Sequence, residues 1–119
     1  MIWQVIYGKI PSKANRYKVI TINGHGSLKT DNEIKRYELL FYVQCSEYRC
    51  RKISEKFCLY ADVYVESKRQ DLDNILKTIL DCLQKSEAIT NDNNCVKIVA
   101  EKFIDKKNPR IEFGIEIQQ

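Results

Sequence analysis

The chain has 119 residues and a formal net charge of +4, with 44% hydrophobic and 30% charged residues. This composition is typical of a globular domain, and it excludes collagen-like and disordered chains. The absence of a long apolar run excludes a membrane-spanning helix. We therefore expect a single domain over residues 1–119, without a secretion signal. Its five cysteines, an odd number without paired spacing, indicate a cytoplasmic, reducing environment.

The first half of the chain has the composition of strands followed by a helix. Residues 2–10 and 17–22 are rich in β-branched and aromatic residues and predict two strands, separated by the basic segment 12–16. The Asn, Gly and His residues over 23–26 predict a turn. Apolar residues recur every three or four positions between 31 and 48, which predicts a helix. Its core-facing positions are Ile34, Tyr37, Phe41, Cys45 and Tyr48.

The second half predicts a strand, a helix and two further strands. Residues 57–65 alternate between apolar and mixed positions, as a half-buried strand does. Residues 72–83 carry leucine and isoleucine at helical spacing, which predicts an amphipathic helix. Residues 95–104 and 110–117 predict the last two strands, joined by a turn near Pro109. The order β-β-α-β-α-β-β predicts an α+β domain whose mixed or antiparallel sheet is covered by two helices.

The distribution of charge and the histidine content limit the partners and the metal ions that the protein can bind. Residues 1–56 contain 11 Lys and Arg against 5 Asp and Glu, a net charge of +6, whereas residues 57–119 contain 9 against 11, a net charge of −2. A basic half indicates a polyanionic partner, although many proteins without such a partner are equally basic. His25 is the single histidine, and the cysteines lack the spacing of zinc sites. A metal would therefore need oxygen ligands, which suits Mg²⁺ or Mn²⁺.

Three acidic residues lie at the boundaries of predicted elements. Asp71 and Asp73 lie where the second helix begins, and Asp92 precedes the next strand. If that strand lies near the start of the helix, the carboxylates converge, and a divalent cation would neutralise their repulsion. Lys77, one turn beyond Asp73, could then reach a phosphate held there.

Structural roles fit the same residues. Asp71 could cap the helix, and Asp92 could stabilise a turn. Asp73 suits the positive end of the helix dipole and could form an ordinary ion pair with Lys77 on the next turn. Each residue taken alone is better explained by such a role, whereas the combination of all of them favours a site.

The sequence around these residues resembles a known family. Residues 71–83, with Asn91, Asp92 and Val96, are similar to the D-x-D-N-x-x-K-x-x-x-D-x-L…D-D…V signature of RusA-type Holliday-junction resolvases. Residues 11–17 resemble the P-S-x-N-R-Y segment near the N-terminus of that family. The resemblance implies a homodimeric endonuclease that depends on Mg²⁺, with Mn²⁺ as a substitute, and nicks four-way DNA junctions symmetrically.

The resemblance also implies roles for individual residues. It implies that Asp71, Asp73 and Asp92 are the catalytic, metal-binding acids. It implies that Lys77 is the essential lysine of the family. Asn91 stands where the family has the first acid of an acidic pair, and the second acid is kept. We expect further contacts with branched DNA from the flanking loops and the helix start, and the candidate DNA-binding residues are Lys13, Asn15, Arg16, Lys68, Arg69 and Asn74.

Three other functions stay open at this point. A non-catalytic DNA-binding dimer of the same fold would bind DNA in a salt-sensitive manner without nicking it. A nuclease of this fold could instead prefer another branched DNA, such as a flap or a fork. A protein-interaction domain would show no salt-sensitive binding to DNA.

Overall fold

The computed structural model of the chain describes residues 1–11, 17–22, 25–30 and 32–118. The strands in this part of the chain are β1 (Trp3–Tyr7), β2 (Tyr17–Ile22), β3 (His25–Thr30), β4 (Phe57–Val65), β5 (Cys95–Ile104) and β6 (Arg110–Ile117). The helices are α1 (Asn32–Gln44) and α2 (Leu72–Lys85), and a short 3₁₀ helix covers Asp92–Asn94. No helix formed by these residues is long and apolar enough to cross a membrane.

A four-stranded mixed sheet in the order β1-β6-β4-β5 forms the centre of the fold. β6 is antiparallel to β1 and β4, whereas β5 is parallel to β4. β2 and β3 form a separate antiparallel pair. Because β4 lies between β5 and β6, the connection from β5 to β6 has to cross the carboxyl end of β4.

The predicted α+β class, with two helices and a mixed sheet, is confirmed, and the bounds of β4, β5 and β6 agree with the prediction. β3 is a correction, because residues 25 and 26 were predicted to lie in a turn and belong to a strand instead. The observed order is therefore β-β-β-α-β-α-β-β. β3 contains glycine and polar residues of low strand propensity, so its own sequence does not predict a strand. Its antiparallel pairing with β2 stabilises the extended conformation.

One hydrophobic core joins both helices to alternate residues of β4 and β6. The predicted inward positions of α1 are buried, and so are those of β4. Phe41 of α1 stacks on Phe113 of β6, with ring centroids 5.7 Å apart, and Tyr48 packs against the same ring at 5.5 Å. Ile75 and Ile79 of α2 are fully buried. Each large buried side chain contributes about 1.5–3 kcal/mol, so this core fixes how α2 lies on the sheet.

β4, α2 and β5 form a β-α-β unit. Since β4 and β5 are parallel, α2 has to return the chain from the carboxyl end of β4 to the amino end of β5. After α2, the segment 86–90 stays at that amino end, where Ile89 forms a bridge with Ile53, just before β4. The first and last turns of α2 therefore lie at opposite ends of the sheet.

Candidate functional site

The first turn of α2 carries two of the three predicted acids. Asp71 occupies the N-cap position, with φ −77° and ψ 131°, yet its side chain makes no capping hydrogen bond. Asn74 Nδ2 lies 3.5 Å from Asp71 Oδ2, which is a long and weak contact. Both Asp71 and Asp73 are exposed. Their carboxylates are accessible to a ligand, and capping does not account for the carboxylate of Asp71.

Lys77 is exposed on α2, one turn after Asp73. The ion pair that this spacing allows between Asp73 and Lys77 is absent from the salt bridges of the described residues. An acid and a cation therefore lie close together on one face of the helix, and both are open to solvent.

Asp92 lies at the other end of α2. Its backbone N–H donates to Oε1 of Gln84 at 2.9 Å, and Gln84 belongs to the last turn of the helix. Since an α-helix rises about 1.5 Å per residue, the two ends of α2 are about 18 Å apart. The structure thus places Asp71 and Asp73 at the first turn of α2 and Asp92 beside its last turn. The expected convergence of all three carboxylates within one chain is wrong.

The loop that contains Asp92 has hydrogen bonds of its own. Asn91 Oδ1 accepts the backbone N–H of Asn93 at 2.9 Å and so caps the 3₁₀ helix. A carboxylate at position 91 could cap in the same way, so the amide is compatible with this loop conformation. Burial raises the pKa of the neighbouring Cys95 thiol, and the Asp92 carboxylate raises it further. Cys95 is therefore a neutral thiol near pH 7.

The start of α2 offers two exposed carboxylates to a metal ion, those of Asp71 and Asp73. In the described part of the chain, no group of three or more His, Cys, Asp or Glu side chains could hold a metal ion. Mg²⁺, however, keeps several waters and commonly binds through one or two carboxylates together with substrate phosphates. Asp71 and Asp73 meet that requirement, so the oxygen donors present fit Mg²⁺ or Mn²⁺.

Hydrogen bonds to β5 and to the segment after β1 hold residues 66–70, here called the entry loop, which leads into Asp71. Lys102 Nζ donates to the carbonyl oxygens of Lys68 at 3.0 Å and Gln70 at 2.8 Å. Gln70 Nε2 donates to the carbonyl oxygen of Ile10 at 2.6 Å. β5 and the segment after β1 therefore fix the backbone immediately before Asp71.

Lys102 is a residue of this site that the sequence analysis missed. It pairs with Val63 in the register of β5 on β4, and Val63 is fully buried on the face that the helices cover. A lysine on that face interrupts the apolar alternation of the strand. This interruption is the signal that could have identified Lys102, but it can be recognised only once the register is known.

The candidate DNA-binding residues fall into two groups. Outside the described residues lie Lys13, Asn15 and Arg16. Lys68 and Arg69 are exposed on the entry loop, whereas Asn74 is half-buried beside Asp71. Pro11, the last described residue before segment 12–16, is buried, and its carbonyl oxygen accepts a hydrogen bond from Thr78 Oγ1 of α2 at 3.3 Å. Pro11 therefore lies against α2.

Comparisons with known proteins bear on these residues. A search of curated proteins gives no match to the chain. A protein-family model, described as Endodeoxyribonuclease RusA, matches residues 10–117. The matched range includes all the candidate site residues on α2, the loop before β5, the entry loop and segment 12–16. The chain belongs to the RusA endodeoxyribonuclease family.

Proposed function

We propose that this protein is a Mg²⁺-dependent endonuclease that resolves four-way DNA junctions by symmetric nicking, with Mn²⁺ as a substitute. The observation that carries the proposal is the exposed pair Asp71 and Asp73 at the start of α2, in a chain of an endodeoxyribonuclease family. When bound, Mg²⁺ supplies the Lewis acidity and the nucleophile activation that phosphodiester hydrolysis requires. Asp71 and Asp73 would hold it, and Asn74 would orient the Asp71 carboxylate.

The cations around the acids bind the substrate. Lys77 lies one turn from Asp73, so its ammonium can contact a phosphate oxygen and stabilise the negative charge that grows on it during hydrolysis. Lys68 and Arg69 contact neighbouring phosphates and position the strand, without reading its sequence. We assign the same role to Lys13, Asn15 and Arg16, because the buried Pro11 that precedes them is bonded to α2.

Asp92 can join Asp71 and Asp73 in one metal site only if it comes from a second copy of the chain. Because α2 separates Asp92 from Asp71 and Asp73 by about 18 Å, one metal ion cannot contact all three acids of one chain. In a two-fold dimer, the first turn of α2 in one protomer can lie beside the 3₁₀ helix of its partner, so that Asp92 of the partner subunit completes the site. The dimer then has two equivalent sites for the two matching strands of a junction, which is itself two-fold symmetric.

Cleavage assays with a mobile four-way junction, a flap, a fork and a linear duplex test this activity. We expect paired nicks in the junction, only with Mg²⁺ or Mn²⁺. Asp73→Asn should abolish cleavage, while junction binding persists or strengthens because local repulsion falls. Glu101→Gln, at an exposed acid of β5, is the matched control and should cleave like the wild type. Full activity in EDTA, or a wild-type rate for Asp73→Asn, would refute the proposal.

Mixing two inactive variants tests the shared site. A heterodimer of Asp73→Asn and Asp92→Asn subunits has both changes in one site and neither change in the other, if the partner completes each site. Half of the dimers in an equal mixture are heterodimers, so about a quarter of the wild-type sites should return. The products should be single, unpaired nicks. If heterodimers form and no activity returns, each chain builds its site alone.

A further inference from the structure

The topology of the sheet places two loops side by side. The chain crosses the carboxyl end of β4 in residues 105–109, here called the crossing loop, on its way from β5 to β6. β4 ends at Val65, where the entry loop begins. The backbone N–H of Asp105 donates to the carbonyl oxygen of Val65 at 2.8 Å. The crossing loop is therefore bonded to the strand end that leads to the catalytic turn of α2.

These two loops are basic, although they belong to the acidic half of the sequence. The entry loop and the crossing loop, together with Arg110 at the start of β6, contain five cations and two acids, a net charge of +3. The cations are Lys68, Arg69, Lys106, Lys107 and Arg110. The acids already have partners, since Glu66 pairs with Lys9 at 3.7 Å and Asp105 pairs with Arg110 at 3.0 Å. The four exposed lysine and arginine side chains are consequently not neutralised by these acids.

A cleft of about 350 Å³ connects the loops. Its lining residues are Glu66, Ser67, Lys68, Ile104 and Lys106. The entry loop and the crossing loop thus each contribute a lysine to one concave surface. Lys107 is exposed next to Lys106 and extends the positive charge beyond the cleft. A polyanion that enters the cleft would meet cations from both loops.

Side-chain contacts hold the crossing loop in one conformation. Arg110 bonds to Asp105 at 3.0 Å, to Glu112 at 2.8 Å and to the carbonyl oxygen of Asn108 at 3.0 Å. Its guanidinium also lies 3.8 Å from the ring centroid of Tyr64. Lys106 and Lys107 are therefore presented from a fixed turn, and ordering that turn costs little when a ligand binds.

We propose that Lys106 and Lys107, together with Lys68, bind the phosphodiester backbone of a junction arm beside the arm that is cut. This inference rests on the proposed function, because it concerns the same branched DNA. The surface begins at the entry loop, which ends next to Asp71, so an arm bound on it continues from the scissile strand. Its lysines provide phosphate contacts, which set the register of the DNA and not its sequence preference.

The salt dependence of junction binding in EDTA tests this surface without cleavage. Each phosphate contact contributes about −0.9 to the slope of log K against log salt concentration, so Lys106→Gln/Lys107→Gln should make this slope less negative by about 1.8. Between about 50 and 200 mM salt, the wild type would then lose about twelvefold more affinity than the variant loses.

The control removes the same charge elsewhere. Lys35 is exposed on α1 and belongs to neither loop, so Lys35→Gln should leave the slope unchanged, whereas Lys106→Gln alone should make it less negative by about 0.9. An equal change in both single variants would overturn the inference, because the effect of a charge would then not depend on its position. If the wild type nicks junctions and the Lys106→Gln/Lys107→Gln slope is unchanged, this inference fails alone. If the wild type neither binds nor nicks a junction, the proposed function fails with it.

Discussion

Replacing Lys102 with methionine tests whether the hydrogen bonds between β5 and the entry loop are needed for catalysis. The substitution keeps an unbranched side chain that reaches the ε carbon and removes the ammonium that donates to the carbonyl oxygens of Lys68 and Gln70. Gln70 keeps its own bond to Ile10. The entry loop therefore loses its attachment to β5 and keeps its attachment to the segment after β1.

Two hydrogen bonds determine the size of the effect. A hydrogen bond to a charged group contributes about 1.5–3 kcal/mol, and partial exposure of this pair lowers the expected total for both to about 1–2 kcal/mol. For a chain of this length, such a loss lowers Tm by about 4–8 °C. Asp71 follows Gln70 directly, and a displacement of about 1 Å can reduce a rate about a hundredfold. We expect kcat to fall at least about tenfold, with KM for the junction within about threefold of the wild-type value.

The assay measures single-turnover and steady-state cleavage of a four-way junction, together with thermal unfolding. Lys102→Arg should restore most of kcat, because a guanidinium can also donate to both carbonyl oxygens. Lys97→Met, at an exposed lysine of the same strand, is the matched control and should leave kcat and Tm unchanged. A wild-type kcat for Lys102→Met despite a lower Tm would show that Lys102 stabilises the fold without positioning Asp71.

Two further predictions concern the framework of the site. The Tyr48 hydroxyl donates to the carbonyl oxygen of Ile2 and accepts the N–H of Ile115 at 3.2 Å. Tyr48→Phe should therefore lower the free energy of unfolding, measured in denaturant, by about 1–3 kcal/mol. An unchanged free energy of unfolding would contradict this role. Arg110 holds the pKa of Asp105 below its ordinary value through a side-chain hydrogen bond. A lowered pKa stabilises the fold above the pKa of the unfolded chain, and this contribution is lost as the pH falls through the folded pKa. Asp105→Asn should therefore be less stable than the wild type at pH 7, with a difference that shrinks below about pH 4, whereas a constant difference would refute this linkage.

Local periodicity explains why much of the fold could be predicted. The alternation in β4 and the helical spacing in α2 appear in the sequence because each element has one buried face. Tyr48 shows the limit of such patterns: it continues the apolar spacing of α1, but the helix ends at Gln44 and Tyr48 is buried from a turn. Periodicity identified the buried residue correctly and assigned it the wrong backbone conformation.

Relations between distant elements could not be predicted in this way. The start of α2 could be recognised as a cluster of acids because Asp71 and Asp73 are neighbours in sequence. The position of Asp92 depends on whether the chain returns along the sheet after Lys85. The residues between Lys85 and Asp92 are long enough for that, since they could span about 20 Å if extended. The bridge between Ile53 and Ile89 keeps this segment at the far end of α2. No pattern near Asp92 indicates that contact.

The separation of the acids by α2 has a consequence for reaction order. Under the proposed function, an isolated chain carries two acids at one end of a helix and the third at the other, so it can bind DNA but lacks a complete site. At protein concentrations below the dimer dissociation constant, the rate of cleavage would then fall with the square of the concentration and not in proportion to it. Because the length of α2 separates the acids, activity would depend on dimer formation. Nicking would then be negligible at low protein concentration, without any inhibitor.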